Sequence, residues 1–128
     1  MKIGLVILQI NVTDLEKARA YYVDTLGFEM LSHSTHVVEI CLHGGPLCLL
    51  YKVDRRADNG YPDATGIIPV FLVQDIDAIH ADWKAKGVEF VPCSWAKEES
   101  GIGDCPFGRF IGVRDPFGNA FEILQQRV

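Results

Sequence analysis

The chain contains an internal duplication, and this limits the folds open to it more than any other feature. The segment Val12-Thr13-Asp14-Leu15 aligns with Val73-Gln74-Asp75-Ile76. Val12 then falls on Val73, Asp14 on Asp75, Leu15 on Ile76 and Tyr22 on Trp83. The ends agree as well: Leu26-Gly27-Phe28-Glu29-Met30 is similar to Lys86-Gly87-Val88-Glu89-Phe90 once one residue is deleted. A match in strand, cap, helix stripe and exit glycine together marks two copies of one supersecondary unit.

Each copy opens with an apolar strand, residues 5–10 and 67–73. Thr13 and Glu16 have the spacing of a capping box and predict a helix start in the first copy. Leu15, Ala18 and Tyr22 recur at i, i+3 and i+7, as do Ile76, Ile79 and Trp83, so each set lies on one helical face turned toward a sheet. Gly27 and Gly87 end the helices, where a left-handed cap favours a residue without Cβ. Strands are predicted at 28–32, 36–42 and 47–53, with Gly44-Gly45 as a hairpin turn, and at 89–92, 109–114 and 120–125. Asp115-Pro116-Phe117-Gly118-Asn119 has the chemistry of a tight turn. Residues 54–66 read as a linker and 93–108 as a long loop of the kind that often serves as a lid.

The predicted class is therefore α+β, a single domain of two βαβββ modules at about 1–54 and 67–128. One helix covers one face of a four-stranded sheet. The other faces, concave and mixed, are expected to meet and enclose a cleft, and a small-molecule site is expected there. A chain of 128 residues with 48% apolar content can bury such a core. A net charge of −5 argues against a nucleic-acid partner. No apolar stretch approaches the roughly 20 residues that span a bilayer, and the run 3–10 leads into Asn11, Thr13 and Asp14 as a strand would, without an export signal's cleavage site. Reduced thiols and a cytoplasmic setting follow for Cys41, Cys48, Cys93 and Cys105, although a two-residue turn at Gly44-Gly45 would set Cys41 opposite Cys48.

Val12-Thr13-Asp14-Leu15, Tyr21-Tyr22 and Leu26-Gly27-Phe28 resemble the opening signature of the vicinal-oxygen-chelate superfamily, the group of glyoxalases, bleomycin-resistance proteins and extradiol dioxygenases. Pro106-Phe107-Gly108-Arg109, Arg114 to Asn119 and Phe121-Glu122-Ile123 are similar to its closing motif. The resemblance covers nearly the whole chain and implies the fold, a homodimer and a small-molecule ligand. It is a poor guide to activity, because lyases, isomerases, dioxygenases and drug-sequestering proteins share the scaffold. It places the family's four metal ligands at Ile7, Leu49, Ile68 and Glu122. Three are aliphatic, so no metal cofactor is expected, and the site is predicted to suit a planar or hydrophobic guest.

Glu122 is the sharpest candidate, as a catalytic general base or a hydrogen-bond partner of the ligand. The alternative pairs it structurally with Arg109 or Gln9. Gln9 shares a strand face with Ile7, and Tyr51 shares one with Leu49, so all four are candidate ligand contacts. Trp95 and Phe107, in or beside the long loop, are aromatic candidates for closing over a planar guest, with loop anchoring as the alternative. A competing metal-dependent reading, as a lyase or dioxygenase, rests on the alternation Glu39, Cys41, His43: Glu39 and His43 with Glu122 would hold a divalent ion, and Cys41 would add a soft ligand. His33 and His36 read as turn residues and His80 as an exposed helix residue. Neither a nucleophile elbow nor a phosphate loop is present.

Overall fold

The computed structural model describes residues 1–64 and 66–127. It divides into two compact units, Met1–Ala57 and Asp58–Val128.

The first unit runs β1 (Ile7–Val12), α1 (Leu15–Arg19), β2 (Glu29–His33), β3 (Val37–Cys41) and β4 (Leu47–Lys52). Its sheet has the order β1-β4-β3-β2, with β1 parallel to β4 and the other pairs antiparallel. The first strand begins two residues later than its apolar run suggests. The reason is pairing: β4 begins at Leu47, and Leu47 is the Cα partner of Ile7. Leu5 and Val6, ahead of that start, are exposed.

Alternation sorts the unit into two faces. Ile10, Val12, Val38, Ile40, Cys48 and Leu50 are buried, together with Ala18, Tyr22 and Leu26 of the helical segment. Complete burial of an aliphatic side chain contributes about 1.5–3 kcal/mol, so this layer holds the unit together. Ile7, Gln9, Leu47, Leu49, Tyr51, Glu39 and Cys41 project from the opposite face.

Both helices are capped by the aspartates that the duplication aligns. Asp14 Oδ1 accepts from Lys17 N at 3.0 Å and Asp75 Oδ1 from Ala78 N at 3.1 Å. The cap is thus Asp14 and not Thr13; its carboxylate complements the positive helix end as a hydroxyl does not. Glu16, the expected reciprocal partner in a capping box, instead pairs with Arg19 at 2.7 Å. Gly27 and Gly87 take the left-handed conformation, φ +86° and +82°.

The residue missing from the second copy has a structural counterpart. After α1 the chain continues as a π-helical stretch, Ala20–Thr25, in which Leu26 N donates to Tyr21 O. A π turn accommodates one extra residue without breaking the helix. Tyr22 and Trp83 therefore keep equivalent buried places while the first helical segment reaches its exit glycine one residue later.

The expected two-residue turn at Gly44-Gly45 is a longer loop between Cys41 and Leu47, with Gly44 at φ +72°. Cys48 then pairs with Ile40, not Cys41. That one-residue shift sends the two thiols to opposite faces, and all four cysteines are free.

In the second unit follow β5 (Val70–Leu72), α2 (Ile76–Ala85), β6 (Glu89–Val91), β7 (Gly103–Cys105), β8 (Gly108–Arg114) and β9 (Ala120–Gln126). The sheet order is β5-β9-β8-β6, and β7 also pairs with β8. The expected strand at 67–73 shortens to Val70–Leu72, the residues in register with β9, flanked by bonds from Glu122 N to Pro69 O and from Val73 N to Leu124 O. Within the expected loop 93–108, β7 occupies the edge of β8 beyond the end of β6. The expected linker also ends early: Asn59 and Tyr61 belong to this unit, their carbonyls accepting from Arg114 at 2.9 and 2.7 Å. Thr65 of that linker lies outside the described residues.

Phe71, Ile76, Trp83, Val88, Ile111, Val113, Phe121 and Ile123 are buried. His80, expected to be exposed, is buried and stacks on Phe90 with centroids 4.4 Å apart. Its position four residues after Ile76 falls on the same face as Trp83, three residues further on. Asp115 is buried and ties its turn, accepting from Phe117 N, Asn119 N and Asn119 Nδ2 at 2.8, 2.8 and 2.9 Å. Among the described residues no helix is long and apolar enough to cross a membrane.

Candidate functional site

Glu122 lies at the middle of β9, with Val70 of β5 and Gly112 of β8 as its Cα partners. Alternation puts Val70, Leu72 and Leu124 on the same face of the sheet as Glu122, opposite to Phe121 and Ile123, which are buried. Val70 and Leu72 are 50% and 65% exposed, so this face offers an apolar strip around one carboxylate.

The partner of that carboxylate is Tyr61, whose Oη donates to Glu122 Oε2 at 2.7 Å. Tyr61 is fixed from several sides. Its N–H donates to Asn59 Oδ1 at 2.9 Å, its carbonyl accepts from Arg114, and its ring lies over Gly112. A Cβ at Gly112 would stand 2.5 Å from the ring and 2.9 Å from the hydroxyl, so only glycine leaves room for this approach. Burial raises the Tyr61 pKa, and the hydrogen bond to Glu122 and the charge of Glu122 push it further the same way. The phenol therefore stays protonated and donates, which orients the carboxylate and leaves Oε1 directed elsewhere.

Arg109, one of the partners named from sequence, does not fill this role. Arg109 is on the other face of β8 and reaches Asp77 at 2.7 Å and Glu98 at 2.9 Å. Those two hydrogen bonds raise its pKa, Asp77 first, while Arg109 lowers that of Asp77. Gln9 Nε2 donates to Asn11 Oδ1 at 2.8 Å. Tyr61 was hidden in a segment that reads as linker. The signal that points to it is Gly112, an isolated glycine inside the strand pattern Ile111-Gly112-Val113.

The other candidates fall as follows. Ile7, Gln9, Leu49 and Tyr51 share the open face of the first sheet, with Gln9 beside Leu49 in register. Ile68 is half-buried, two residues ahead of β5. Trp95 is 63% exposed, yet its Nε1 donates to Asp104 O at 3.2 Å and its ring tilts against Phe110 at 5.9 Å, so it anchors the loop to β7 and β8. Phe107 is exposed.

The residues that the sequence resemblance places at ligand positions do not have the chemistry to hold a divalent ion. Ile7, Leu49 and Ile68 carry no donor atom, and Glu122 has one oxygen engaged by Tyr61. Of the alternative set, Glu39 and His43 belong to the first unit and Glu122 to the second. His43 lies beyond the end of β3, and the donors that gather within 4.8 Å of one another are those of Glu29, Cys41 and His43.

Two βαβββ units with mixed sheets, each with its helix on one face, define the chain's class of fold. A sequence model of the glyoxalase/bleomycin resistance protein/dioxygenase superfamily matches residues 4–123. The chain belongs to that superfamily. Among solved structures, it is similar to a glyoxalase family protein from Bacillus anthracis (19% identity, TM-score 0.74, 99% of this chain and 98% of that one). It is also similar to an antibiotic-binding protein from a Streptomyces species (26%, 0.68, 99% of each chain). A third is the bleomycin-binding protein of Streptomyces verticillus, solved with copper(II)-bleomycin (25%, 0.67, 99% of each). No curated protein matches the chain.

Proposed function

We propose that this protein binds a small planar or hydrophobic molecule and that the binding needs no metal ion. The observation that carries this reading is the Tyr61–Glu122 pair set into an otherwise apolar sheet face. Val70, Leu72 and Leu124 supply apolar contact, and Glu122 Oε1 accepts from a hydroxyl or amide of the guest. The similarity to two antibiotic-binding proteins supports the ligand class. The aliphatic side chains of Ile7, Leu49 and Ile68 support metal independence.

The test is calorimetric titration of chelator-treated protein with a panel of planar aromatic natural products, including metal-free bleomycin. Saturable 1:1 binding that weakens in Tyr61→Phe and Glu122→Gln supports the proposal. Binding that appears only after a divalent ion is added, or that ignores both substitutions, refutes it. Turnover of a bound compound that falls by about 10²-fold in Glu122→Gln would instead identify Glu122 as a general base.

A further inference from the structure

A second constellation lies within the first unit. Glu29 of β2 and Cys41 of β3 are direct Cα partners in an antiparallel pair, so their side chains rise from the same face. His43 follows two residues beyond Cys41, past the end of the strand. Its Nε2 lies 3.4 Å from Glu29 Oε2, and one donor atom from each of the three side chains falls within 4.8 Å of the others. Three different donors, a thiol, an imidazole and a carboxylate, converge where ordinary strand pairing and a turn bring them.

We infer that Glu29, Cys41 and His43 form a zinc site on the rim of the first sheet. The donor set selects the metal: thiolate and imidazole suit a borderline ion, and the hard ions magnesium and calcium want oxygen alone. Zinc needs donors at about 2.0–2.3 Å, so the three side chains must close by roughly an ångström, a rotamer adjustment available to exposed Glu29 and His43. Charge balances as well. On binding, Cys41 releases its proton to water, and its thiolate and the Glu29 carboxylate neutralise the dication beside a neutral His43. Three protein ligands leave a fourth position for water or an exogenous donor, the arrangement of an open site and not of a closed structural one. None of these residues stands at a position that the superfamily resemblance assigns to metal. The site is independent of the ligand-binding proposal.

The experiment uses the full chain, stripped with chelator and titrated with zinc alone against a chromophoric competitor, then with cobalt. One equivalent of zinc is expected per chain, together with a sulfur-to-cobalt charge-transfer band. Cys41→Ser should abolish the band. His43→Ala should weaken zinc binding by roughly tenfold or more, as even outer-shell losses at metal sites do. His43 has an 88% exposed side chain, so its removal leaves folding intact and the result readable. Glu122→Gln should leave zinc affinity unchanged. Absence of stoichiometric binding, a cobalt spectrum without sulfur ligation, or metal lost on Glu122→Gln but retained in His43→Ala would each overturn the site.

Discussion

Replacing Gly112 with alanine should displace Tyr61 and disorganise the site. The new Cβ would sit 2.5 Å from Tyr61 Cε1, where ordinary contact begins at 3.4 Å, so the ring must withdraw by nearly an ångström. Its backbone cannot follow freely, because Arg114 holds the carbonyls of Asn59 and Tyr61. Withdrawal on that scale stretches the 2.7 Å bond to Glu122 past hydrogen-bonding range. Overpacking costs about 1–3 kcal/mol, and a lost bond to a charged acceptor about 1.5–3 kcal/mol, taken at its lower end for a part-buried pair. Removing a glycine from a strand offsets about 0.5–1 kcal/mol. The net expectation is destabilisation by about 1.5–4 kcal/mol, read as a lower urea midpoint at unchanged slope. A double-mutant cycle isolates the cause. With Tyr61→Ala already in place, the same glycine substitution should instead stabilise by about 0.5–1 kcal/mol. If Gly112→Ala is neutral alone, or equally costly in both backgrounds, the ring over Gly112 is not what makes alanine intolerable.

Four further outcomes follow from the titrating and charged groups. Tyr61 has a folded-state pKa above its ordinary 10, so its contribution is complete below pH 10 and fades as pH rises through the folded value; Tyr61→Phe should flatten that alkaline decline in stability. His80 is shifted the other way, lowered chiefly by burial, so stability is present above pH 6.5 and lost as pH falls through the folded value. Proton NMR of the His80 imidazole checks the direction, and a midpoint above 6.5 would contradict it. Burial pushes the Cys48 thiol up to about 11, and it should resist alkylation at pH 8 until urea unfolds the chain, which peptide mass spectrometry resolves. Arg109→Ala removes the link between Asp77 of α2 and Glu98, and should cost about 0.5–1 kcal/mol at low salt and less at high salt.

Much of the architecture was legible because it rests on local rules. The aligned aspartates, helix stripes and exit glycines named both helices, and strand alternation put Ile7, Gln9, Leu49 and Tyr51 on one face. Errors arose where a partner in space sets the outcome. The loop after Cys41 shifted β3 against β4 by one residue and separated Cys41 from Cys48. β7 exists because β8 has an edge left over beyond β6, which no pattern within 93–108 announces.

The candidate site divides in the same way. The sequence by itself determined that Ile7, Leu49 and Ile68, which the resemblance places at ligand positions, are aliphatic and that residue 122 carries a carboxylate, because side-chain chemistry does not depend on coordinates. Only the tertiary structure decided what that carboxylate touches. Tyr61 stands sixty-one residues before Glu122 and reaches it because Arg114 and a bare glycine bring a distant loop onto the sheet. Contacts between residues so far apart in the chain depend on how the whole unit packs, and no short stretch of sequence encodes them.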